Sequence, residues 1–245
     1  MKILVGIPVL YGYKHTQDAI NSVLNQKDVH LLIIDNGATE DLKELFKLYS
    51  HYNNFTVKVN EKNIYVNPAW NQIMYAFLND YKDYDILCIM NSDLTMQNNW
   101  SDVLRNLYKH NPSGSYCPVV VSDCVKVERM KEVNTTLAPS QTVEEGTAGI
   151  FITLSREQCE MVYDIPETMK VWYGDNWIYG MLRGMGHKTI IPSNLIAFHG
   201  LSQTVSRVEG IDDIIAKDRH EWYNNVEPYL NELIAKRNES NRIHT

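Results

Sequence analysis

The chain has 245 residues and a formal net charge of −7, with 44% of its residues hydrophobic and 22% charged. That is enough chain to bury a sizeable core in one large α/β domain, and the acidic balance disfavours a surface built to coat nucleic acid. No apolar run approaches the roughly 18–20 residues needed to span a bilayer, and Cys88, Cys117, Cys124 and Cys159 are too scattered for a zinc site or a disulfide framework.

Lys2 to Ile7 is a short apolar run that Pro8 is expected to end. It reads as a buried strand rather than a signal peptide, because no small-residue cleavage site follows it. A soluble, cytoplasmic protein is the expectation. Tyr11-Gly12-Tyr13 is loop, and Thr16 is placed to cap a helix through Ala19, Ile20, Val23 and Leu24. Val29 to Ile34 reads as a second strand, closed by the turn signal Asp35-Asn36-Gly37. Glu40 to Tyr49 has helical spacing, Phe55 to Val59 alternates as a strand, Pro68 to Leu78 is helical, and Asp85 to Met90 is a fourth strand.

Residues 1–95 thus alternate strand and helix, which predicts a mostly parallel central sheet flanked by helices in a single α/β domain. Tyr11, Asp35, and Asn91 with Asp93 fall just past strand ends, where open α/β sheets bind ligands. Further on, Asn99 to Tyr108 reads as helix, and Tyr116 to Val121 and Gly149 to Thr153 as strands. Ser155 to Tyr163 is a helix whose Ser155 and Gln158 have capping-box spacing. Asn176 to Arg183 is helical, and Lys188 to Ile191 and Leu195 to His199 are strands. The polar, patternless residues 130–147 read as a loop, Asp212 to Lys236 as helix, and the tail from Arg237 as frayed. The expected division is 1–95 as a nucleotide-binding half, 96–211 as an acceptor half, and 212–245 as a C-terminal helical extension.

Three short segments carry candidate chemistry. Asp93, in Asn91-Ser92-Asp93, either caps the following turn or meets a divalent cation such as Mg²⁺ or Mn²⁺ on a diphosphate. Asp175, in Gly174-Asp175-Asn176-Trp177, either caps a helix or acts as a general base. Trp172, Tyr173 and Trp177 around it are either core or a sugar-facing platform. His199 is either structural or a metal ligand.

The order of these segments resembles family-2-type glycosyltransferases of the GT-A fold over about residues 2–200. Ile7-Pro8-Val9-Leu10-Tyr11 is similar to that family's first strand and nucleotide loop, and Ile33 to Thr39 to its Asp-Asp-Gly-Ser-Thr type turn. Asn63 to Asn71 resembles its Asn-x-Gly-x-x-x-Ala-x-Asn segment, and Met90 to Asp93 falls where its Asp-x-Asp metal motif belongs. Gly149-Ile150-Phe151 resembles its small-residue strand near the acceptor. Tyr173-Gly174-Asp175, with Leu182-Arg183 and Gly186-His187-Lys188, looks like its Glu-Asp motif and downstream segment, and His199 falls at its late metal-ligand His. Four positions depart from the pattern: Asn91 and Asn36 stand for Asp, Tyr65 for Gly, and Gly174 for Glu.

The resemblance implies an inverting glycosyltransferase that takes a sugar from a UDP- or dTDP-type donor to an acceptor hydroxyl. It implies Asp175 as the base, Asp93 and His199 as ligands of Mn²⁺ or Mg²⁺, and a donor site from Pro8, Tyr11, Asp35, Asn63, Asn71, Asn91, Ser92 and Asp93. Segments 130–147 and 200–211 are candidates to close over the donor. A glycan or other hydroxyl compound is the expected acceptor. Richness in Asn, Tyr, Ile and Lys fits an AT-rich genome such as that of a virus or phage, so hydroxymethylated bases of phage DNA are an alternative acceptor. Lys126, Arg129 and Lys131 form the modest basic cluster that reading would use. A non-catalytic nucleotide-sugar-binding module and a nucleotidyltransferase are the rival functions. The latter would want a Gly-rich basic loop after the first strand, which Tyr11-Gly12-Tyr13-Lys14 matches poorly.

Overall fold

The structure, a computed structural model, describes residues 1–121, 140–143, 149–199 and 208–243. The strands are β1 (Ile3–Val9), β2 (Val29–Asp35), β3 (Phe55–Val59), β4 (Ile86–Met90), β5 (Leu94–Met96), β6 (Gly114–Tyr116), β7 (Val119–Val121), β8 (Ser140–Val143), β9 (Phe151–Ser155), β10 (Lys188–Pro192) and β11 (Ile196–His199). The helices are α1 (Tyr13–Leu24), α2 (Glu40–Tyr49), α3 (Val66–Asn79), α4 (Trp100–His110), α5 (Arg156–Val162), α6 (Gly174–Gly184), α7 (Ile211–Glu221) and α8 (Glu227–Ile243). A π-helical turn, Trp222–Val226, joins the last two.

The central sheet has the order β3-β2-β1-β4-β9. Its first four strands are mutually parallel and β9 runs antiparallel to β4. The continuous apolar runs of β1, β2 and β4 follow from burial on both faces, while the edge strand β3 is exposed at its end. Ile3, Val5, Ile7 and Val9 enter one core with α1, α2 and α4, while Leu4 enters a second core with α3, α5 and α6. The same alternation divides Leu31 and Ile33 from Leu32 and Ile34, and Cys88 from Leu87 and Ile89. Gly6 lets α3 lie close on the sheet, since a Cβ there would run into Ile73. Two three-stranded sheets, β6-β10-β8 and β5-β11-β7, complete the architecture.

Several local expectations are corrected. Pro8 lies inside β1, paired with Ile34, beyond Gly6, where the pairing of β1 with β4 ends. Its missing N–H therefore removes no bond to β4. Thr16 is not the cap of α1. Gly12, at φ +97°, turns the chain earlier, so the helix starts at Tyr13 and Thr16 is wholly buried inside it. Residues 116–121 form parts of two strands in different sheets, and β9 begins at Phe151 rather than Gly149. The capping box at Ser155 forms in both directions, with Gln158 N–H donating to Ser155 Oγ and Ser155 N–H to Gln158 Oε1. Residues 212–243 are helical, and Trp222, Val226 and Leu230 join the core under α3 and α6. Of the stretch 130–147 only β8 is described, paired with β10; most of 200–211 and the cluster Lys126, Arg129 and Lys131 lie outside the described residues.

Candidate active site

Parallel pairing puts the carboxyl ends of β1, β2 and β4 at one edge of the sheet. Val9 is level with Asp35 across the β1–β2 pair, and Asn36 N–H donates to Val9 O at 2.9 Å. Pro8, the half-buried Tyr11, Asp35 and Asn91-Ser92-Asp93 therefore share that edge. Asp35 is 2% exposed, and its Oδ1 accepts the N–H of Ala38 at 2.7 Å, which closes the turn after β2.

Asn36, beside it, is a hub. Its Nδ2 donates to Asn63 Oδ1 at 3.0 Å and to Tyr65 O at 3.2 Å. Its Oδ1 accepts from Ile64 N–H at 3.0 Å and Asn60 Nδ2 at 3.3 Å. Both halves of an amide are needed here, since a carboxylate would face Asn63 Oδ1 and Tyr65 O without a donor. Asn63 Oδ1 also accepts from Tyr65 N–H at 2.8 Å. Tyr65 has φ +70° and ψ 177°, a region essentially reserved for glycine. Asn36 and Asn63 grip its carbonyl and its N–H, which holds a tyrosine where the resembling family has Gly. Asn71 is engaged elsewhere: its amide donates to Ile165 O at 2.8 Å and accepts from Ile165 N–H at 2.9 Å.

Asp93 and His199 meet. The antiparallel pairing of β5 with β11 sets His199 level with Leu94, next to Asp93. Asp93 Oδ1 lies 3.2 Å from His199 Nε2, with the side chains 10% and 12% exposed. A carboxylate oxygen and an imidazole nitrogen this close can both reach one hard divalent ion, which commonly takes few protein ligands and fills the rest with phosphate and water. No group of three or more His, Cys, Asp or Glu side chains forms a metal cluster among the described residues. Asp93 also lines a cleft of about 440 Å³ with His15 and Asp18 of α1 and Gln97.

Asp175 stands at the start of α6. Its Oδ2 accepts Gly149 N–H and its Oδ1 accepts Asn176 N–H, each at 2.9 Å. Burial raises its carboxyl above the usual 3.8, while the bonds from Asn176 and Gly149 pull the other way. Glycine is required on both sides. A Cβ on Gly149 would come within 2.7 Å of Asp175 Cβ and 2.8 Å of the Trp70 ring. One on Gly174 would run into Asn67 Oδ1, so the Glu of the resembling motif has no room at this position.

Asn91, beside Asp93, and Asp175 are linked through two residues. Asn91 N–H donates to Ile150 O at 2.9 Å, and the neighbouring Gly149 holds Asp175. Of the residues expected from sequence, the structure thus gathers Pro8, Tyr11, Asp35, and Asn91 through Asp93 at the sheet edge, adds His199, and ties Asp175 to the same region. Asn63 is joined to it through Asn36. Asn36, Gly149 and Asn67 were not among the expected site residues. The signal for Asn36 lay in the sequence as a departure from the family turn. Asn67 carried no comparable signal.

The model of glycosyl transferase family 2 matches residues 5–163. No curated protein matches the sequence. Among solved structures, GalNAc-T7 with UDP, GalNAc and Mn²⁺ superposes with a TM-score of 0.63 at 14% identity, covering 81% of this chain and 44% of that one. S. aureus TarS 1–349 gives 0.64 at 13% identity, covering 93% of this chain and 73% of that one. Its complex with UDP-GlcNAc gives 0.65 at 12%, covering 96% and 71%. The chain therefore spans less than half of GalNAc-T7 and about seven-tenths of that TarS chain. At these identities the likeness establishes the GT-A fold.

Proposed function

We propose, for a chain that belongs to glycosyl transferase family 2, a metal-assisted, inverting transfer of a sugar from a UDP- or dTDP-linked donor to an acceptor hydroxyl. The observation that carries this reading is the pairing of Asp93 with His199 at 3.2 Å at the sheet edge that also holds Asp35. The nucleoside lies over Pro8, Tyr11 and Asp35, with Asn63 shaping the site through its bond to Asn36, while Asn71 fixes Ile165 away from it. Asp93 and His199 hold Mn²⁺ or Mg²⁺ with the donor diphosphate, and Asn91 and Ser92 border it. The cation, when bound, draws off charge from the leaving diphosphate as a Lewis acid.

Asp175 takes the proton of the acceptor hydroxyl. The acceptor oxygen bonds to the anomeric carbon from the face opposite the nucleotide, as the bond from that carbon to the diphosphate oxygen breaks. Burial suits Asp175 to this work, because a carboxylate with a raised pKa is a stronger base. The GalNAc-T7 and TarS structures, which contain UDP with Mn²⁺ and UDP-GlcNAc, support the donor class. Among the described residues no helix is long and apolar enough to cross a membrane.

Nucleoside diphosphate release from UDP-glucose, UDP-GlcNAc and dTDP-glucose with Mn²⁺ tests the reading. The wild-type chain should turn over at least one donor, and Asp175→Asn should slow it by about 100-fold or more while the nucleotide still raises the melting temperature. Normal turnover by Asp175→Asn removes Asp175 as the base. Nucleotide binding without turnover of any donor makes the chain a binding module.

A further inference from the structure

Helix α7 lies on the surface with a single buried residue, and that residue is Asp218, 0% exposed. A carboxylate taken out of water is costly unless donors meet it. Three backbone N–H groups meet this one. Lys170 donates to Oδ1 at 2.9 Å, and Val171 and Trp172 donate to Oδ2 at 2.7 and 2.8 Å.

The same segment is held from the other side by Asn67 of α3. The Asn67 N–H donates to Lys170 O and its Nδ2 to Trp172 O, both at 3.0 Å. One turn beyond Asp218, Trp222 stacks on Tyr173 with ring centres 5.3 Å apart and planes 9° from parallel. Tyr173 has φ +63°, a left-handed conformation that a bulky residue keeps only when its surroundings impose it. Residues 170–173 therefore run between α3 and the C-terminal helices, and they deliver the chain directly to Gly174-Asp175.

We propose that Asp218 is a positioning residue for the transfer step: by gathering the three N–H groups of 170–172 it sets the entry into α6, and so the direction of Asp175 and the placement of the 43% exposed Trp172 beside it. The inference rests on the reading of Asp175 as the base. Only a carboxylate suits the position, because an amide turns one of its two acceptors into a donor that faces a backbone N–H. The C-terminal helices are then part of the acceptor side of the enzyme rather than an appendage.

The test compares Asp218→Asn and the milder Trp222→Leu with wild type, reading UDP release from UDP-GlcNAc and UDP-glucose with Mn²⁺ and water as acceptor. UDP affinity and amide exchange at 170–176 are measured on the same proteins. The expected result is a fall in kcat of about tenfold or more for Asp218→Asn and a smaller fall for Trp222→Leu. The donor KM and UDP affinity should stay within about twofold, and exchange at 170–172 should rise. Wild-type kcat in Asp218→Asn despite faster exchange overturns the proposal. So does a parallel loss of kcat, UDP affinity and melting temperature in both variants, which marks a merely structural role. If Asp175→Asn keeps full activity while wild type turns over, the assignment of the base fails and the proposal falls with it; if Asp175→Asn is slow while Asp218→Asn keeps wild-type kcat, the proposal fails alone. A wild-type chain silent on every donor defeats both.

Discussion

In the proposed mechanism Asp175 serves two ends. Its bonds to Gly149 and Asn176 are those of a helix-start carboxylate, yet burial, the larger influence, leaves it more easily protonated than a free aspartate. The sign follows from linkage. Between the ordinary 3.8 and its raised value the folded chain binds more protons at this site than the unfolded chain, so this group's contribution to stability declines as pH rises through that window. The proposed role as base needs the opposite form. The pH profile of UDP release should show an acid limb with an apparent pKa above 3.8, absent from the residual rate of Asp175→Asn. A limb at or below the ordinary aspartate value would contradict the role of burial. At Asn91, where the family motif has a carboxylate, one anionic oxygen is lost, while its backbone N–H donates to Ile150 O and its carbonyl accepts from Leu94 N–H.

At the scale of elements, the turn after β2 and the entry to α3 act as one unit. Two departures from the family pattern, Asn36 and Tyr65, are physically coupled, because the Asn36 amide donates to the carbonyl of the strained Tyr65. Holding a non-glycine residue in that region costs about 1–3 kcal/mol. Tyr65→Gly should therefore be more stable than Tyr65→Ala by about 1 kcal/mol or more, the reverse of the usual order for the two residues. Asn36→Asp should lower the melting temperature by removing the donor that fixes the turn. Thermal and denaturant melts of the three variants check this, and an alanine variant as stable as the glycine one would show that the Tyr65 conformation is not imposed.

For the whole molecule, periodicity was a good guide wherever a strand or helix was long enough to have a period. Of the parallel strands β1, β2 and β4 alternate between two cores, and α2, α4 and α5 lie close to their expected bounds. What stayed hidden has a common physical cause. β5 and β6 have three residues each, too few for an alternating pattern, yet β5 with β11 is what brings His199 to Asp93. Asp218 grips backbone N–H groups, which every sequence carries, so no residue type 46 to 48 positions away announces it. Asp93 and Asp175 were visible through their place in an ordered set of motifs, and their partners emerged from topology. That convergence makes the donor diphosphate the point on which the functional reading turns. Calorimetric titration of UDP with Mn²⁺ and with EDTA, in wild type and Asp93→Ala, tests it most directly. Mn²⁺ should tighten UDP binding to wild type by about tenfold or more and leave Asp93→Ala near its EDTA value; equal UDP affinity in all four titrations would contradict the account.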